Sequence, residues 1–178
     1  MPRLGDCSAG PPAQCDECAR ASLVTMTRPI VIFDGDCGLC NGFVAWLIRH
    51  DPGARYLIAG SAGEVGRSAL DAMGLEHGVA DSTLVVATVE GPRLCSDAVA
   101  AVLGGLGWPW RAGAAIRWVP RGLRDRLYDA IAQRRARRPA EDPSCGTPPR
   151  ELVIAWRARL ASHADVEALS DARSVSHG

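Results

Sequence analysis

Cys37 and Cys40 stand three apart, with Gly38-Leu39 between them. Two thiols at that spacing, inside one helical turn, can close a small disulfide or hold one side of a zinc ion. The residues before them, Ile30 to Phe33, are a short apolar run rich in β-branched side chains, which suits a buried strand. Asp34-Gly35-Asp36 is a turn signal. After the pair, Phe43, Val44, Trp46, Leu47 and Ile48 recur at helical spacing. The pair therefore falls where a strand hands over to a helix. There the unpaired N–H groups and the positive end of the helix favour a thiolate. Cys37 is accordingly expected to be exposed, ionised in neutral water and nucleophilic. Cys40, one turn in, is expected to resolve the mixed disulfide.

Two other readings of the pair stay open on chemistry and spacing alone. Cys15 and Cys18 form a second CxxC, and four thiolates would make a structural zinc site in a non-enzymatic binding or scaffold protein. The cysteines could also have no special role. Asp34, at the end of the strand, could take the proton of Cys40 if burial raises its pKa, or simply make a turn hydrogen bond. Asp36 opposes a thiolate beside it and could instead cap the helix.

The stretch FDGDCGLCNGFVAWLIRHD resembles the opening motif of the DCC family of proposed thiol-disulfide oxidoreductases. The family pattern is FDGxCxLCN, and Asp34, Gly35, Cys37, Leu39, Cys40 and Asn41 fall on it. Leu94-Cys95-Ser96-Asp97-Ala98 resembles the family's Ser-Asp-Ala at the start of a later helix. Val119 to Tyr128 resembles a further family segment, and Cys145 falls near a third family cysteine. The resemblance covers roughly residues 28 to 150. It implies a thioredoxin-like fold and disulfide reduction. Thioredoxins and glutaredoxins carry a cis-proline facing the CxxC, whereas the matching stretch here is Asp81-Ser82-Thr83, without proline. Ser96 and Asp97 resemble the glutaredoxin turn that holds glutathione, or they cap a helix.

The elements that must position the pair read in order. Residues 1–28 form an irregular tail broken by Gly10-Pro11-Pro12. Residues 29–138 are expected to be a thioredoxin-like domain with a C-terminal helical cap. A helix runs from Gly38 to about His50, a parallel strand covers Arg55 to Ala59, and a helix covers Ser61 to Met73, with Ser61 and Glu64 as a capping box. Strands follow at Thr83 to Val89 and at Pro92 to Cys95, the latter an edge that tolerates proline. Ser96 or Asp97 caps a helix to Leu106. Trp108, Trp110 and Trp118 are expected to pack a helical cap on the sheet, and Arg121 to Arg135 to form a helix with Leu123, Leu127, Tyr128 and Ile131 on one face. Residues 139–178 read as a loop, a short helix and a polar tail. The fold class is thus α/β: a thioredoxin-like sheet with helices on both faces plus a C-terminal helical extension.

Composition bounds the function. The formal net charge is zero, so no strong field argues for nucleic acid or a membrane surface. Nine arginines lie between Arg111 and Arg138, and the cluster Arg134, Arg135, Arg137 and Arg138 reads as a solvated helix end, because no aromatic residues alternate with these four for base stacking. No apolar run approaches a membrane span, and no secretory signal precedes the domain. A reducing cytoplasm is the default, where a CxxC is more often catalytic or metal-binding than structural. The seven cysteines leave at least one outside any pairing. The leading reading is a reductase using Cys37, Cys40 and Asp34, with no bound cofactor. Its partner would be a disulfide-containing protein or a low-molecular-weight thiol.

Overall fold

The structure is a computed structural model that describes residues 27–132 and 150–177. Four strands make a mixed sheet in the order β2-β1-β3-β4, with β1 at Ile30–Phe33, β2 at Leu57–Gly60, β3 at Val85–Thr88 and β4 at Gly91–Leu94. β1 pairs parallel with β2 and antiparallel with β3, and β3 pairs antiparallel with β4. Parallel pairing of β1 and β2 demands a crossover, which α1 (Gly38–His50) supplies. β4 takes the edge, where Pro92 is tolerated.

Alternation along β1 divides the core into two layers. Val31 and Phe33 face α1 and α4 (Cys95–Gly105), together with Val44, Leu47, Ala98 and Val102. Ile30 and Ile32 face α2 (Glu64–Ala72) and the C-terminal helix, together with Ala69, Leu70, Val166 and Leu169. Both faces of the sheet are therefore covered, as a thioredoxin-like α/β fold requires. A short helix, α3 (Val79–Ser82), leads into β3. A 3-10 helix at Trp110–Trp118 and then α5 (Arg121–Ala132) follow α4.

Several local expectations need correction. The helix after β2 begins at Glu64 with Gly63 as its cap, not at Ser61, and Ser61 is buried. Gly66 explains the geometry: an added Cβ would stand 2.0 Å from the Gly60 carbonyl oxygen, so α2 lies against the end of β2. Ser96 and Asp97 do not cap α4, whose cap is Leu94 with no side-chain bond. Both reach to α5 instead. Trp108 and Trp118 are exposed, and only Trp110 packs, edge-on against Trp46 at 4.9 Å.

The stretch read as a polar tail is a helix, α7 (His163–His177), with Val166, Leu169 and Ala172 buried. Its apolar stripe is narrow among Ser, Asp and Ala, which hides it in the sequence. The short helix before it, α6 (Arg150–Arg157), places Trp156 edge-on to Phe33 at 5.6 Å. Between α6 and α7 the chain bonds to β2: Ile58 N–H donates to the Arg159 carbonyl at 2.8 Å, and Ala161 N–H to the Ile58 carbonyl at 2.9 Å. Arg159 is buried against Asp51, Nη1 to Oδ2 at 2.8 Å. Residues 133–149, including the stretch expected as a loop with Cys145 and the Arg134 to Arg138 cluster, lie outside the described residues, as does the Cys15/Cys18 pair.

Candidate functional site

The chain leaves β1 at Phe33 and turns at once into α1. Asp34 Oδ1 accepts the Asp36 N–H at 2.9 Å, and the Asp34 carbonyl accepts the Cys37 N–H at 3.3 Å. Asn41 Nδ2 closes the turn from the other side, donating to the Gly35 carbonyl at 2.6 Å. The DGDC turn is thereby fixed before the helix starts, and its exit sets Cys37 in extended backbone at the cap position.

Cys37 is the helix cap. Its Sγ accepts the Cys40 N–H at 3.3 Å, and its carbonyl accepts the Asn41 N–H at 2.9 Å. The sequence left the cap open to Asp36, which is exposed and holds no capping bond to α1. A sulfur in this position meets one of the otherwise unpaired N–H groups and the positive end of α1. Cys37 and Cys40 are not joined by a disulfide in this structure.

The expected exposure of Cys37 is not found. It is 1% exposed, Cys40 is 4% and Asp34 is 9%. Phe33, Leu84 and Ala98 belong to the same core layer as both thiols, the last two from distant parts of the chain. Around them the surface is bare. Gly35 and Gly38 are exposed, and a Cβ added at either would meet nothing within 4 Å.

Cys40 borders a cavity of about 230 Å³, framed by Phe43, Leu84, Val99, Ile116 and Leu127. α5 forms its outer wall, and polar contacts hold that helix in place. Ser96 Oγ donates to Asp125 Oδ1 at 2.5 Å. Arg124 and Arg121 share Asp97, at 2.8 and 3.2 Å. The Tyr128 hydroxyl meets Thr83 Oγ1 at 2.9 Å and accepts the Leu84 N–H at 3.0 Å. Leu123 and Leu127 on the same helix are 60% and 58% exposed, so apolar burial contributes little to its docking.

Sequence reasoning missed the roles of Arg124, Asp125, Tyr128 and Thr83. A signal was present: Arg124 and Tyr128 are four apart, on one face of a helix. Thr83 occupies the place where a proline was looked for. It also holds Cys95, whose N–H donates to Thr83 Oγ1 at 3.1 Å and whose Sγ accepts the Thr83 hydroxyl at 3.2 Å. Among the described residues, no cluster of three His, Cys, Asp or Glu side chains is placed to hold a metal ion. No described helix is long and apolar enough to cross a membrane.

The chain is 33% identical over 108 residues to the uncharacterized protein YuxK of Bacillus subtilis, covering 60% of this chain and 77% of that one. It is 31% identical over 122 residues to the DCC family protein At1g52590, chloroplastic, of Arabidopsis thaliana, covering 66% and 69% respectively. No solved structure matches. The model of the DCC1-like thiol-disulfide oxidoreductases matches residues 31–140, from within β1 through α5, and the chain belongs to that family.

Proposed function

We propose that this chain is a thiol-disulfide oxidoreductase of the reductase type, working through the Cys37–Cys40 dithiol. The observation that carries the reading is the hydrogen bond from the Cys40 N–H to Cys37 Sγ at the mouth of α1. Negative charge on that sulfur is favoured by the N–H and by the helix end together. Membership of a family named for this chemistry supports it.

In the proposed reaction the Cys37 thiolate attacks one sulfur of a substrate disulfide. That S–S bond breaks, and the other substrate sulfur leaves as a thiolate and takes a proton. Cys40, deprotonated, then attacks Cys37 Sγ, releasing the second substrate thiolate and leaving a Cys37–Cys40 disulfide. Two electrons have passed to the substrate, and a dithiol or low-molecular-weight thiol donor returns them. Asp34 is the proposed acceptor for the Cys40 proton. Its Oδ1 also holds the Asp36 N–H, which keeps the carboxylate in place at the turn.

Burial sets a condition on this scheme. A sulfur 1% exposed reacts only after a neighbour moves. α5 is the element suited to move, because its polar contacts can re-form with water at small net cost. The open space over Gly35 and Gly38 leaves room for a substrate backbone beside the helix mouth. The partner in this reading is a disulfide-containing protein or a low-molecular-weight disulfide, in a reducing compartment.

Trapping tests the proposal. Cys40→Ser cannot complete the second step, so it should accumulate a mixed disulfide on Cys37, identified by peptide mass spectrometry. Absence of any adduct, or an adduct on Cys95 with Cys37 free, contradicts it.

A further inference from the structure

Helix α5 docks with its faces reversed for a surface helix. Its polar side meets the domain: Arg124 is buried on Asp97, Asp125 takes the Ser96 hydroxyl, and Tyr128 meets Thr83. Its apolar stripe turns outward. Leu123, Leu127 and Ile131 recur at every fourth position, and each is about half exposed. A helix packed on a soluble core buries such a stripe. Trp118, three residues before the helix begins, is 92% exposed. Leu39 is exposed too and borders the same hollow as Leu127 and Ile131, so the apolar surface extends to α1.

Zero net charge conceals a division along the chain. Residues 111–138 carry nine arginines against Asp125 and Asp129, so the remainder is acidic. Asp125 is already engaged by Ser96 and Arg121. Arg117 and Arg126 are exposed and form no ion pair among the described residues. Arg126 stands three residues after Leu123, on the adjoining row of the helix. A second copy of the chain on a two-fold axis would bring these arginines against themselves, a like-charge contact. A negatively charged surface suits them.

We propose that α5 is a docking face for a membrane surface that carries anionic lipid. Leu123, Leu127 and Ile131 enter the boundary between headgroups and acyl chains, Trp118 lies at the headgroup level, and Arg117 and Arg126 meet lipid phosphates. At twelve residues α5 lies on the bilayer and does not cross it. No step of the redox reading is needed for this docking.

Cosedimentation of the reduced full-length chain with vesicles tests the proposal, using phosphatidylcholine alone and phosphatidylcholine mixed with phosphatidylserine. Binding to the mixed vesicles should be at least about tenfold tighter and should weaken as salt is raised. Leu123→Ser combined with Leu127→Ser should lower it at least about tenfold, whereas Ile154→Ser, at an exposed isoleucine on α6, should not change it. Equal binding to both kinds of vesicle, or to neither, overturns the proposal. Binding that survives the double substitution assigns the attraction to the arginines alone and also overturns it. So does self-association that the double substitution abolishes, without vesicle binding. Should the double variant fail to fold, quenching of the unaltered chain by brominated lipid decides: it should be reduced in Trp118→Phe, and equal quenching in that variant places the contact elsewhere.

Discussion

The Cys40 N–H donates to Cys37 Sγ at 3.3 Å, while the Cys40 side chain forms part of the wall of the neighbouring cavity. The two thiols thus have different surroundings although one helical turn separates them. Cys37 has the electrostatic advantage of the helix mouth but is sealed; Cys40 borders the cavity. Any motion that serves the chemistry must uncover the first without breaking the turn that orients it. Asp34 and Asn41 hold that turn from both sides, and in the proposed scheme α5 is the part that moves.

Tyr128 is the contact whose loss should loosen α5 most cleanly. Tyr128→Phe removes the hydroxyl that meets both Thr83 Oγ1 and the Leu84 N–H. Stability should fall by about 1–2 kcal/mol, the cost of unpairing buried polar groups. Alkylation of Cys37 and Cys40 by iodoacetamide should become several-fold faster, read by peptide mass spectrometry. An unchanged alkylation rate would mean that α5 does not gate the thiols.

Glycines near the site should divide into two kinds. Gly66→Ala forces a Cβ to 2.0 Å from the Gly60 carbonyl oxygen, and should cost about 1–3 kcal/mol in a urea melt. Gly38→Ala meets nothing within 4 Å, so its melt should lie within about 0.5 kcal/mol of the unaltered chain. Its reduction of a protein disulfide should nonetheless slow, because the added methyl group stands where the proposed substrate backbone passes. Unimpaired activity in Gly38→Ala would remove that docking surface from the account.

Arg159 ties the C-terminal segment to the domain. Its guanidinium meets Asp51 Oδ2 at 2.8 Å and the Asp51 carbonyl, with both residues buried. Arg159→Ala leaves Asp51 as an unpaired buried carboxylate and should destabilise by about 3–5 kcal/mol. Loss of the segment between α6 and α7 from β2 should accompany it, visible as faster amide exchange at Ile58 and Ala161. A melt unchanged within error would show that this pair does not anchor the segment.

Alkali should act through Tyr56. Burial first, and the Asp51 carboxylate second, raise its hydroxyl from the ordinary 10.0 to about 12. The hydroxyl donates to the Ala101 carbonyl at 3.0 Å, and only the neutral form can donate. The folded state therefore holds this proton more tightly than the unfolded chain does. Its contribution is complete below pH 10 and is lost as pH rises from 10 towards 12. Tyr56→Phe should flatten this part of the stability profile, followed by urea melts at stepped pH. An identical alkaline slope in the variant would assign the loss to other groups.

The strand-turn-helix around the pair was legible because its signals are local. A β-branched run, an Asp-Gly-Asp turn and a helical repeat agree within 20 residues of sequence. Burial of Cys37 was not, because the core layer it joins takes Leu84 and Ala98 from other elements, and no local pattern announces them. The same holds for Ser96 and Asp97. Their positions suit a cap, and only the packing of α5 shows that their side chains are engaged elsewhere. α7 escaped for a third reason: three buried apolar residues among Ser, Asp and Ala give a weak period, and its burial depends on α2.

Oxidation of the native chain in defined glutathione redox buffers, followed by peptide mapping of all seven cysteines, tests the central claim most directly. The dithiol account expects one two-electron transition that links Cys37 to Cys40 and reverses on reduction. A pair that stays reduced across the range, or a reversible disulfide formed only between Cys15 and Cys18, would contradict it.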